Sequence, residues 1–200
     1  VSASIVSVAP GTLTVGVGSD FEDVAVGNHE GILISGAAAF AERFVGQTLG
    51  QSGDFDTLSG TPTGPLALQA GSTKENLGVE YYNGYGISNR VYGLGHLGYP
   101  NYRAIGEGAL AVLFPIDQVE LGFDVTGTDS GQGTVNFYRR DGSWINTYVI
   151  PSLESTSYAF QSDSGAEIAG ITLTNFNDEG VPFDNFRYAI PEPGSLIVWS

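Results

Sequence analysis

The sequence predicts an all-β protein, an antiparallel β-sandwich of jelly-roll type. Short apolar or alternating runs recur along all 200 residues, bounded by Gly, Asn, Asp and Pro. The 29 glycines and 9 prolines, about a fifth of the chain, supply turns at the density such a fold needs. One stretch is a hairpin signature, with two alternating segments flanking Asp141-Gly142. A chain of this length buries a core without the staples a mini-protein needs, so a single domain over residues 1–189 is expected.

The runs fall at residues 4–8, 12–17, 31–35, 66–70, 78–82, 109–114, 118–125, 133–139, 143–150, 157–161, 168–175 and 185–189. Their spacing describes antiparallel strands. In Val119-Glu120-Leu121-Gly122-Phe123-Asp124-Val125 the odd positions are apolar and the even ones polar or Gly, the pattern of a half-buried strand. Thr134-Val135-Asn136-Phe137-Tyr138 alternates likewise, and Arg140-Asp141-Gly142-Ser143 turns into the next strand at Trp144. Burying these faces takes two stacked sheets. Residues 37–45 are the one helical candidate, good helix formers over two turns, and equally a strand leading into Gly46-Gln47. No run approaches the roughly 18 apolar residues of a membrane helix.

With 7 Lys and Arg against 22 Asp and Glu, the net charge of -15 argues against nucleic-acid and anionic-membrane partners, because phosphate neutralisation needs a cationic face. The absence of cysteine excludes disulfides, thiolate catalysis and Cys-ligated metals, and 2 histidines leave little for transition metals. An acidic surface rich in Gly and Tyr suits hard, oxygen-ligated cations such as Ca²⁺ and neutral polyhydroxylated ligands that stack on rings. Val1-Ser2-Ala3 has the small-x-small pattern of a cleaved secretion signal.

The final stretch reads Ile190-Pro191-Glu192-Pro193-Gly194-Ser195-Leu196-Ile197-Val198-Trp199-Ser200. A Pro-Glu-Pro triplet followed at once by small and apolar residues resembles the start of a PEP-CTERM sorting signal. The resemblance implies a secreted bacterial protein of an exopolysaccharide-producing cell, whose precursor is processed by an exosortase-type enzyme. Residues 190–200 would be a remnant of that signal, lacking most of the apolar segment and the basic tail; the plainer alternative is a rigid turn entering a last strand. More loosely, Phe21-Glu22, the 114–125 strand and Phe183-Asp184-Asn185-Phe186-Arg187-Tyr188 are similar in order to jelly-roll domains of PEP-CTERM proteins and carbohydrate-binding modules. In those modules a Glu after the first strand and an Asp in the closing strand share a structural Ca²⁺, which implies Glu22 and Asp184 as metal ligands here.

The residues give calcium some support of their own. Asp20, Glu22 and Asp23 place three carboxylates in four residues, of which at most two can share one ion if the segment is extended. Residues 81–103 hold the densest mixture of aromatic and polar side chains. They read either as a glycan groove or as a long glycine-rich connection that packs its tyrosines onto the sandwich. As a groove, Tyr82, Tyr85, Tyr92 and Tyr99 would stack on sugar rings while Asn89, Arg90, His96 and Asn101 bind hydroxyls. Asp54 and Asp56 share one strand face, but no acid stands in a signature for glycosidase chemistry, so a non-enzymatic role is expected. The glycine patterns at 16–19 and 93–98 open no helix and carry no P-loop Lys, which rules out nucleotide binding. The terminal runs 4–9 and 195–199 suggest a rival role, a filament subunit that self-associates by strand addition.

Overall fold

The computed structural model describes residues 4–82, 88–127, 131–175 and 180–190. In chain order its strands begin with β1 (Ile5–Val8), β2 (Val17–Ser19), β3 (Gly27–His29), β4 (Leu33–Ser35), β5 (Ala38–Ala41) and β6 (Arg43–Phe44). There follow β7 (Thr48–Ser52), β8 (Phe55–Ser59), β9 (Leu68–Gln69), β10 (Leu77–Tyr82), β11 (Ser88–Leu94) and β12 (Ile105–Gly108). The last are β13 (Leu110–Gln118), β14 (Glu120–Val125), β15 (Gly133–Tyr138), β16 (Trp144–Ile150), β17 (Thr156–Ser162), β18 (Ile168–Asn175) and β19 (Phe183–Arg187). Short 3₁₀ turns at Pro10–Thr12 and Tyr102–Ala104 are the helical elements among the described residues.

One sheet runs β1-β17-β14-β19-β11-β10-β3, with β12 on β11 and β2 on β19; the other runs β16-β15-β18-β13-β5-β4. Neighbours within both sheets are antiparallel. From β13 onward the chain crosses between the sheets, so that β17 returns beside β14, β18 beside β15 and β19 again beside β14. This is jelly-roll winding.

The core lies between the sheets. From one side come Leu121, Phe123 and Val125, Phe160, and Phe183 and Phe186; from the other Leu110, Val112 and Phe114, Val135 and Phe137, and Ile171 and Leu173. Rings meet edge-on across the gap, Phe137 with Phe160 at 5.1 Å and Phe40 with Phe186 at 5.3 Å. Phe123 stands among Phe160, Phe183 and Phe186, 5.6 Å from the last. A second layer covers the outside of the smaller sheet, where Phe44 and Leu66 pack on Ala111, Tyr138 and Ala169. A Cβ at Gly170 would come 2.7 Å from the Phe44 ring, so only glycine admits that ring. Strand β18 is therefore buried on both faces along its whole length.

The Asp-Gly hairpin forms as expected, with Gly142 at φ 85° and Asp141 Oδ1 accepting from Ser143 N at 2.9 Å. One open alternative is decided, and one expectation fails, for tertiary reasons. Residues 37–45 are strands rather than helix: β5 pairs with β4 and β13 and sinks Phe40 into the core, and pairing outweighs the propensity of a short alanine run. Of residues 12–17, only Val17 is in a strand, because Glu120 Oε1 captures the amides of Thr14 and Val15 that a ladder would use. The last strand also begins two residues earlier than expected and contains a bulge. Phe183 and Phe186 both enter the core although three positions apart, and Asn185 takes φ 48° to absorb the extra residue.

Truncating Phe123→Ala removes the ring at the centre of this seam and is expected to cost about 3–5 kcal/mol of unfolding free energy in urea titration. A loss under 1 kcal/mol would place the seam elsewhere.

Candidate functional site

Two carboxylates from opposite ends of the chain bond adjacent residues at the head of β11. Phe21 adopts φ 59°, which turns the chain while its ring is held 5.0 Å from Phe40 and 6.0 Å from Phe186. The side-chain amide of Asn89 closes the turn by donating to the carbonyls of Phe21 and Val24. Glu22 then reaches β11, its Oε1 accepting from Asn89 N at 2.8 Å. From the closing strand, Asp184 Oδ2 accepts from Ser88 Oγ at 3.0 Å and Oδ1 from Asn185 N at 2.7 Å. The bulge that returns Phe186 to the core is what leaves Asp184 facing Ser88. Only Glu22 of its acidic trio takes part: Asp20 binds the amide of Glu22, and Asp23 binds Ser35 Oγ and Gly36 N.

Asp184 is 3% exposed, and burial pushes its pKa up to about 6, with the nearby Asp124 carboxylate adding to the rise. Asp124 behaves in the opposite sense. Burial acts to raise its pKa, but hydrogen bonds from Arg187 and Ser157 outweigh it and hold the group below its usual range. The Glu22 and Asp184 oxygens and the Ser88 hydroxyl are hard donors suited to Ca²⁺. Among the described residues no group of three or more His, Asp or Glu side chains gathers closely enough to hold a metal by itself. An ion at Glu22 and Asp184 would draw its further oxygens from backbone carbonyls and water.

In the tyrosine-rich segment the structure withdraws three of the candidate groove residues from solvent. Its middle is strand β11, paired with β10, β12 and β19. Asn89, Arg90 and Tyr92 are buried and present nothing to a ligand. Tyr92 lies over Gly78, where a Cβ would come 2.4 Å from the ring, and packs with Leu94, Ala104 and Tyr99 in a small cluster outside the main core. Arg90 stands opposite Glu80, whose pKa is raised by burial and partly restored by that guanidinium. Asn101 caps the Tyr102–Ala104 turn, its side chain accepting from Arg103 N. His96 is half-buried and Tyr102 is 81% exposed. Tyr85 and the side chain of Tyr82 lie outside the described residues.

A second grouping was not legible in the sequence. The turn between β7 and β8, the Tyr102–Ala104 turn and β12 bring Asp54, Arg103 and Glu107 to one pocket. Asp56 on β8 is 1% exposed; its Oδ2 accepts from Ala109 N at 3.1 Å while Oδ1 has no partner among the described residues. Burial pushes its pKa up to about 6.

No protein-family model matches the chain, and no curated protein matches it. Among solved structures it is similar to the enzymatically active domain of tailspike protein 4 of bacteriophage CBA120, at 18% identity and a TM-score of 0.34. The likeness covers 57% of this chain and 18% of that one, so the chain spans less than a fifth of the tailspike domain. A likeness of this size carries over no activity.

Tyr92→Ala is expected to lower unfolding stability by about 3–5 kcal/mol, the cost of an emptied aromatic site, as read by urea titration. An unchanged midpoint would return Tyr92 to the surface. Asp56→Asn keeps an acceptor for Ala109 N and removes a buried charge. Below about pH 3 wild-type Asp56 is protonated whether folded or unfolded, and the two proteins should be equally stable. Between about pH 4 and pH 6 the unfolded chain releases its proton first, so wild-type stability falls as pH rises. At pH 7 the variant should be more stable by up to about 3 kcal/mol, seen as a higher Tm than wild type at pH 7 and an equal one at about pH 3.

Proposed function

We propose that this chain is a secreted, non-enzymatic protein of a bacterial extracellular matrix or envelope, whose jelly roll binds glycan and a structural calcium ion. The convergence of Glu22 and Asp184 on Ser88 and Asn89 carries the reading. An ion between them would join the N-terminal turn to the closing strand and relieve the cost of burying the Asp184 charge. Calcium would supply structure and no chemistry.

The domain's end supports delivery by a sorting signal. The buried Gln118 amide donates to the Ala189 carbonyl at 3.1 Å and accepts from the Ala189 amide at 2.7 Å, fastening the backbone just before Pro191. Ile190 beyond the clamp is 52% exposed. Residues 191–200, where the PEP-CTERM-like motif falls and an exosortase-type enzyme would act on the precursor, lie outside the described residues. The rival reading, assembly by strand addition, is favoured by one observation. Strand β1 is the outer strand of the larger sheet and leaves Val6 46% exposed.

Melting the protein in Ca²⁺ and again in EDTA tests the site. Ligand at 100 times its dissociation constant should add about 2.7 kcal/mol to wild type and nothing to Glu22→Gln or Asp184→Asn. Equal shifts in all three, or none in wild type, would remove calcium from this site.

A further inference from the structure

We propose that the pocket between the β7–β8 turn, the Tyr102–Ala104 turn and β12 receives one unit of a neutral glycan. The proposal rests on the glycan-binding reading and gives it a location. The pocket has a volume of about 390 Å³ and is lined by Gly53, Asp54, Phe55, Arg103 and Glu107. That size falls within the roughly 300–1,000 Å³ of small-ligand sites.

Its polar groups come from three separate elements that the fold brings to one place. Glu107, 4% exposed, is the most deeply set of the lining residues. Asp54 and Arg103 form an ion pair across the pocket, which fixes an acceptor beside a guanidinium with donors to spare. A carboxylate next to such a fork matches two vicinal hydroxyls, each of which both donates and accepts. Half-buried Phe55 adds an apolar wall for the C–H face of a sugar ring.

The backbone makes the enclosure possible. A Cβ at Gly95 would come 2.9 Å from the Asp54 carbonyl and 3.1 Å from Glu107 Cβ, so glycine lets the β7–β8 turn close onto β12. Gly53, at φ 65° with open space beside it, turns the chain at the rim without filling the pocket. Tyr102, next to Arg103 in sequence, is the most exposed large aromatic side chain of the described residues and offers a ring for a neighbouring unit.

Charge selects among sugars. Two carboxylates against one guanidinium leave the pocket anionic on a chain of net charge -15, which disfavours uronic acids and sulfated sugars.

The test is affinity electrophoresis of the full chain in gels containing a neutral glucan, a galactomannan or polygalacturonate, with Arg103→Ala, Glu107→Gln and Trp144→Ala beside wild type. Arg103 is 58% exposed, so its removal leaves the core intact, and melting curves verify folding of each variant. Wild type should be retarded by a neutral gel and not by polygalacturonate. Both pocket variants should weaken that binding at least about tenfold, the scale of a lost charge-assisted hydrogen bond, while Trp144→Ala, on the other sheet, should bind as wild type. Retardation that survives in folded Arg103→Ala and Glu107→Gln would overturn the pocket and leave glycan binding standing. Retardation by polygalacturonate alone would overturn the charge argument and with it the pocket. Binding of wild type to none of the gels would overturn the glycan reading itself.

Discussion

The aromatic seam between the two sheets is the constraint from which the rest follows. Phe123, Phe137, Phe160 and Phe186 must interdigitate, and this fixes how far apart the sheets stand and which residue of each strand faces inward. In β19 that demand cannot be met by simple alternation. Phe183 and Phe186 both enter the core, so the strand bulges at Asn185 and turns Asp184 away from the apolar side toward Ser88. Phe21 is drawn into the same seam, and its left-handed backbone throws Glu22 toward Asn89. The two carboxylates thus reach adjacent residues of β11 as a consequence of packing phenylalanines.

How legible this was depends on whether a strand has one dry face or two. Strand β14 and the β15–β16 hairpin read directly from alternation and the Asp-Gly turn, because one side of each answers to the core and the other largely to water or polar partners. Strand β11 could not be read so. Its residues 89–94 are all buried, Val91 toward the main core and Tyr92 under the chain that follows, so its polar and aromatic mixture looks like a loop. The matching signal was Gly78, which sits under the Tyr92 ring, but it identifies itself only once the register of β10 on β11 is known. Residues 37–45 were ambiguous for a different reason: local propensity allowed helix or strand, and sheet pairing decided for strand.

The candidate sites divide the same way. Glu22 and Asp184 were named because the order of motifs along the chain resembles jelly-roll modules, and the fold brings them to adjacent residues of one strand. The pocket of Asp54, Arg103 and Glu107 leaves no such trace, since its walls come from three elements with no spacing in common. Asn89 and Arg90 were misassigned for a related reason. A polar residue in a tyrosine-rich stretch is a ligand group or a buried fastener according to what covers it, and Asn89 spends its side chain on two carbonyls of the Phe21 turn.

The acids sort by how their burial is compensated, and the sorting distinguishes fastening from function. Glu120 is 6% exposed, but Thr14, Val15 and Gln161 surround it with donors. Burial acts to raise its pKa and the hydrogen bonds from Thr14 and Gln161 prevail, so it stays ionised as a structural anchor. Asp124, held by Arg187 and Ser157, is another anchor. Asp56 and Asp184 lie at least as deep with too few donors, and burial prevails in both. A fold that meets the needs of Glu120 so fully has the means to meet those of any acid it only has to bury. Asp184, facing Ser88, and Asp56, on β8, are two carboxylates at which the fold leaves burial uncompensated.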